Sequence, residues 1–68
     1  MDVVNAAWVD ERLDAIQASI HDPEVAHSIE DSLRVAVLQA IAEGAEEPAR
    51  LAAKALESKA IEFERHCA

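Results

Sequence analysis

His27, Glu30, Asp31 and Arg34 bring an imidazole, two carboxylates and a guanidinium together at offsets of three and four residues. On a helix such offsets stack along one side, so the four are read as one polar face. An imidazole with two carboxylates a turn away is half of a divalent-metal donor set, which His21, His66 or a second subunit would have to complete. No second histidine falls at i+4, and the three histidines have no ligand spacing. An ordinary polar network accounts for the same residues. The face is therefore expected to meet a partner protein, with Trp8 as a further contact because tryptophan is enriched where binding energy concentrates. No metal and no cofactor are assigned; the alternative role for Trp8 is to cover the edge of the fold near Ile61 and Phe63.

Catalytic chemistry has less to stand on. Cys67 lies beside His66, but neighbours on a helix point in different directions, and a thiol that helps Phe63 anchor the tail is the plainer reading. Ser19, Ser28, Ser32 and Ser58 have no base arranged with them, and the single Gly44 excludes a glycine-rich phosphate loop. A chain of 68 residues would also surrender most of its core to an ordinary substrate pocket. No catalytic residue is assigned and no enzymatic activity is expected.

Fourteen acidic residues against six basic ones give a formal net charge of −8. That field repels nucleic acid and anionic membranes, and the six cations are scattered among carboxylates, so direct nucleic-acid binding is not expected. A different use of the charge is mimicry. Asp10, Glu11, Asp14, Glu43, Glu46, Glu47, Glu57, Glu62 and Glu64 standing in for phosphates would block a DNA- or RNA-handling protein. Asp2, Asp10 and Glu11 interrupt the first dozen residues, so neither a signal peptide nor a membrane span is read and the cytoplasm is the expected location. The lone cysteine cannot pair within its own chain.

With 51% apolar residues at helical spacing, one Trp, one Phe and no Tyr, the chain is expected to fold from Ala, Leu, Ile and Val as an all-α domain. The first helix should start at Asp2 or Asn5 and run to about Ile20, burying Val9, Leu13, Ile16 and Ile20. Asp22-Pro23-Glu24 supplies a cap, a first-turn proline and a favourable charge for a second helix. That helix should reach Glu43 and stop at Gly44. Pro48 opens a third, with Leu51, Ala52, Ala55 and Leu56 inward. Ser58 is read as breaking this helix before a short fourth one from Ile61 to Cys67; the alternative is one helix running through. Short connections favour a small antiparallel bundle of three or four helices in a single domain.

The second helix is apolar on two sides. Val25, Ile29, Leu33, Ala36, Val37, Ala40 and Ile41 form one stripe, while Val35, Leu38 and Ala42 fall roughly opposite. A chain this small has little left to cover both. Self-association as a homodimer through Val35, Leu38 and Ala42 is expected, the alternative being that the first and third helices sandwich the second.

Ala26-His27-Ser28-Ile29-Glu30-Asp31, then Leu38, Ile41-Ala42 and Gly44, and the ending from Ile61 to Ala68 resemble a group of short acidic uncharacterised proteins from phage and prophage gene clusters. The likeness covers roughly residues 22–68 and departs at His66, where the group often carries tryptophan. It brings no activity with it. It implies a regulator or inhibitor that docks on a host protein, and the expected function is therefore a small interaction module, with the acidic mimic and a metal-binding helical module as alternatives.

Overall fold

Asn5 turns the chain into its first helix by accepting a hydrogen bond from the Trp8 backbone N–H on its side-chain Oδ1 at 2.9 Å, which satisfies an amide that the first turn leaves without a partner. In the computed structural model, which describes residues 3–65, this helix, α1, spans Ala6–Ala18. It stops two residues short of Ile20 because the Ser19 N–H bonds back to Ile16 O at 2.9 Å. Asp2, the other expected cap, lies outside the described residues. Val9 and Ile16 are fully buried, and Leu13 packs against them from the edge of the core.

Helix α2 covers Pro23–Ala42, with Asp22 Oδ1 accepting from Val25 N at 3.4 Å and Pro23 in the first turn. At about 1.5 Å per residue it accounts for most of the molecule's long dimension. Its end is a complete Schellman motif. Gly44 N donates to Ile41 O at 3.0 Å and Ala45 N to Ala40 O at 2.9 Å, with Gly44 at φ +91°, a backbone region that side chains resist. Glu47, at φ +54°, makes a second left-handed step before Pro48 opens α3, Pro48–Leu56.

Each of the three helices packs against the other two, around a core of Val9, Ile16, Ala26, Leu33, Val37 and Leu51, with Ala55 beside it. Lys54 ties α3 to α1 through Asp10 at 2.9 Å. The fold is all-helical among the described residues, and none of its helices is long and apolar enough to cross a membrane.

Beyond Leu56 the chain departs from both expectations for the tail. It tightens into a 3₁₀ helix over Glu57–Ala60, leaves it through an extended Ile61 (φ −82°, ψ +119°), and has neither helix nor strand over residues 62–65. Neither a through-running third helix nor a fourth helix across residues 61–65 forms; the remainder of that span, His66 and Cys67, lies outside the described residues. The cause is visible in the pattern Ile61-Glu62-Phe63-Glu64-Arg65. Ile61, Phe63 and Arg65 are partly buried while Glu62 and Glu64 are exposed, a period of two that suits an extended segment and not a helix.

Helix α2 also rotates from its expected orientation. The buried positions are Ala26, Glu30, Leu33 and Val37, at i, i+4, i+7 and i+11, while Val25, expected inside, is 44% exposed. Leu56 is likewise turned outward instead of inward.

Candidate functional site

Glu30 occupies a core position on α2 with only 3% of its surface exposed. A buried carboxylate without partners would be severely unfavourable, and here several segments supply them. Arg65 from the tail beyond the 3₁₀ helix forms a two-pronged pair, Nε to Oε1 at 3.0 Å and Nη2 to Oε2 at 3.1 Å. Arg34, one turn along α2, adds a longer contact to Oε2 at 3.5 Å and donates to Ser58 Oγ at 3.0 Å. Burial pushes the Glu30 carboxyl up, but the hydrogen bonds from Arg65 and Ser58 and the charges of Arg34 and Arg65 outweigh it, leaving the group below its ordinary value.

The same Arg65 guanidinium donates to the carbonyls of Ser58 at 2.9 Å and Ile61 at 2.8 Å; the Ser58 carbonyl also accepts the Ile61 N–H at 3.1 Å, so it is the Ile61 carbonyl that Arg65 satisfies on its own. Its central carbon Cζ lies 3.9 Å from the Phe63 ring centroid, a cation–π contact between two partly buried residues of the tail. Ser58, expected only to break the third helix, is fully buried and belongs to this network. The arrangement holds a charge inside and fastens the tail to α2.

The four residues read as one polar face are thereby separated. Glu30 is withdrawn from any partner by burial, and Arg34, with 42% of its side chain exposed, turns toward it. His27 and Asp31 remain nearer the surface, 3.4 Å apart with side chains 23% and 69% exposed. Trp8 is partly buried and packs against the core, with Arg12 over its ring at 5.9 Å from the centroid. It contributes to the fold's edge and keeps only part of its surface for contact.

Sequence reasoning placed Glu30 on an outward polar face with His27, Asp31 and Arg34, gave Arg65 no part in the site, and read Ser58 only as a helix break. The available signals were the spacing 26-30-33-37, which puts Glu30 in line with three apolar positions, and the alternation in the tail, which turns Arg65 toward the side of Ile61 and Phe63.

The other expected site is open to solvent. Val35 is 54% and Leu38 66% exposed, and Ala42 is exposed beside them. The first and third helices do not sandwich this side of α2. Between α2 and α3 runs an apolar trough bordered by Leu38, Ile41, Ala52 and Leu56, with Arg34 at its edge. Among the described residues no group of three or more His, Cys, Asp or Glu side chains is placed to hold a metal ion.

Compared with protein-family models, with curated proteins and with solved structures, the chain finds no match in any of the three.

Proposed function

We propose that the chain is a small protein–protein interaction module that works by docking and not by catalysis, and that it self-associates through Val35, Leu38 and Ala42. The observation that carries this reading is the exposure of Leu38 and Val35 midway along the longest helix. Single exposed apolar residues are ordinary on protein surfaces. These are different in that positions 35, 38 and 42 align at i, i+3 and i+7, the spacing of a helix seam.

A second protein would meet the remaining surface, with Trp8, His27, Asp31 and Arg34 as its contacts. Glu30 serves there only by holding Arg34 in place. The likeness to phage and prophage proteins supports a regulator or inhibitor of a host protein, working in the cytoplasm. Sedimentation equilibrium at tens of micromolar tests self-association. A dimer that Leu38→Glu converts to monomer, with a urea midpoint lowered where the wild-type protein is dimeric, is the expected result, and a strictly monomeric wild-type protein with Leu38→Glu leaving stability unchanged removes the claim.

One observation favours a second reading: all nine carboxylates considered above as phosphate substitutes are exposed. An acidic mimic would bind a nucleic-acid-handling protein with steep salt dependence and be displaced by nucleic acid. Binding that salt leaves unchanged would dispose of it.

A further inference from the structure

We propose that the trough between α2 and α3 receives an amphipathic helix of another protein, one whose apolar stripe ends in carboxylates. The inference rests on the docking reading above and extends the partner's surface from Arg34 into the trough; Leu38 belongs both to the trough and to the self-association seam, so partner helix and second copy compete for it.

The trough is formed by Val37, Leu38 and Ile41 on one side and Ala52, Ala55 and Leu56 on the other. Its two rims stand out into water, Leu38 at 66% and Leu56 at 59% exposure. A small ligand would be poorly enclosed by so open a site, since ligand pockets bury most of their occupant. A helix of about 10 Å diameter laid along the trough would cover both rims at once. The alanines of α3 leave room for the close approach that helix packing requires.

At one end the trough continues, through Arg34 and Leu56, into a second hollow lined by Arg34, Leu56, Lys59 and Arg65. Three of the six lysines and arginines of a chain with net charge −8 meet there, and among the described residues no carboxylate lines the hollow. Arg34 and Arg65 share the one buried carboxylate of Glu30. Lys59 is exposed and makes no ion pair among the described residues. Arg34 engages its partners through Nη2, and its buried Nε has no acceptor. The hollow therefore holds more positive charge than the described residues neutralise, beside an apolar surface, in a molecule whose remaining field is negative. An occupant must match both parts, and apolar side chains followed by carboxylates do so.

Fluorescence anisotropy tests this with three labelled helical peptides of about three turns. One carries leucines along one face and glutamates in its last turn; the second has lysines in place of the glutamates; the third keeps the glutamates and replaces the leucines by serine. The glutamate-ended peptide should bind at least about tenfold tighter than the lysine-ended one, with the advantage shrinking as salt is raised. The serine peptide should not bind. Lys59→Glu should abolish or reverse the preference, and Leu38→Ser should weaken both leucine peptides; both positions are exposed, so the variants keep the fold. Equal binding by the two leucine peptides overturns the charge assignment while leaving a docking face in place. Binding by neither peptide overturns it as well, and joined to a monomeric wild-type protein it removes the docking reading too. Displacement of the acidic peptide by unlabelled protein as effective as by unlabelled peptide makes a second copy the preferred occupant, and also overturns the proposal.

Discussion

The Arg65 guanidinium reaches the Glu30 carboxylate across 35 positions of chain and closes on it with two hydrogen bonds of 3.0 and 3.1 Å. Arg65→Ala would strip the carboxylate of its better partner, leave the Ile61 carbonyl without its donor, and leave the Ser58 carbonyl with the Ile61 N–H alone. A loss of about 2 kcal/mol is expected, below the full cost of breaking a wholly buried pair because Arg65 is partly exposed. Urea denaturation measures it. Arg65→Lys should recover only part of the loss, since an ammonium cannot reproduce the two-pronged geometry; full recovery would show that charge alone suffices.

The depressed ionisation of Glu30 fixes the sign of a pH dependence. A carboxyl that is more acidic folded than unfolded contributes stability above its unfolded value, near the ordinary 4.5, and loses that contribution as the pH falls through the lower folded value. The stability gap between the wild-type protein and Glu30→Gln should therefore be widest at neutral pH and narrow progressively below about pH 4.5. A gap that stays constant down to pH 3 would contradict the assignment.

Leu33 and Leu38 test the two sides of one helix with one residue type. Leu33 has no exposed surface and Leu38 is 66% exposed. Leu33→Ala should cost about 3 kcal/mol through lost burial and the cavity it leaves, whereas Leu38→Ala at concentrations too low for self-association should stay within about 0.5 kcal/mol. Equal losses measured by dilute thermal denaturation would mean that the outward side of α2 is covered.

Gly44→Ala isolates a backbone effect. A methyl group placed there meets nothing within 4 Å, yet φ is +91°, so any penalty comes from conformation and not from collision. A loss of about 1 kcal/mol is expected, which for a domain of this size lowers Tm by roughly 4–8 °C.

The features legible in the sequence were those with a local cause. Asp22-Pro23 opens α2 and Gly44 closes it because caps and left-handed termini depend on a few adjacent residues, and the uncovered side of α2 followed from spacing at Val35, Leu38 and Ala42. The tail and the core-facing side of α2 depended on something else. Whether Glu30 faces water or the interior is decided by the arrival of Arg65, 35 residues away, and helical bookkeeping on α2 alone assigns a carboxylate outward. In the tail, Ala60 and Phe63 fit a helical row as readily as Ile61, Phe63 and Arg65 fit an extended one. The second arrangement prevails because it delivers a cation to a buried anion and supplies a donor for the carbonyls at the end of the 3₁₀ helix.

A core of alanine, valine, isoleucine and leucine is forgiving of small displacements, since one aliphatic contact substitutes for another. The interior carboxylate is not. A tail displaced by one residue would bring Glu64 to the place of Arg65 and set two anions face to face; displaced by two, it would offer Phe63 and leave the anion unmatched. The last described stretch of the chain is thus seated against α2 by charge, which discriminates against displacements that shape alone would allow.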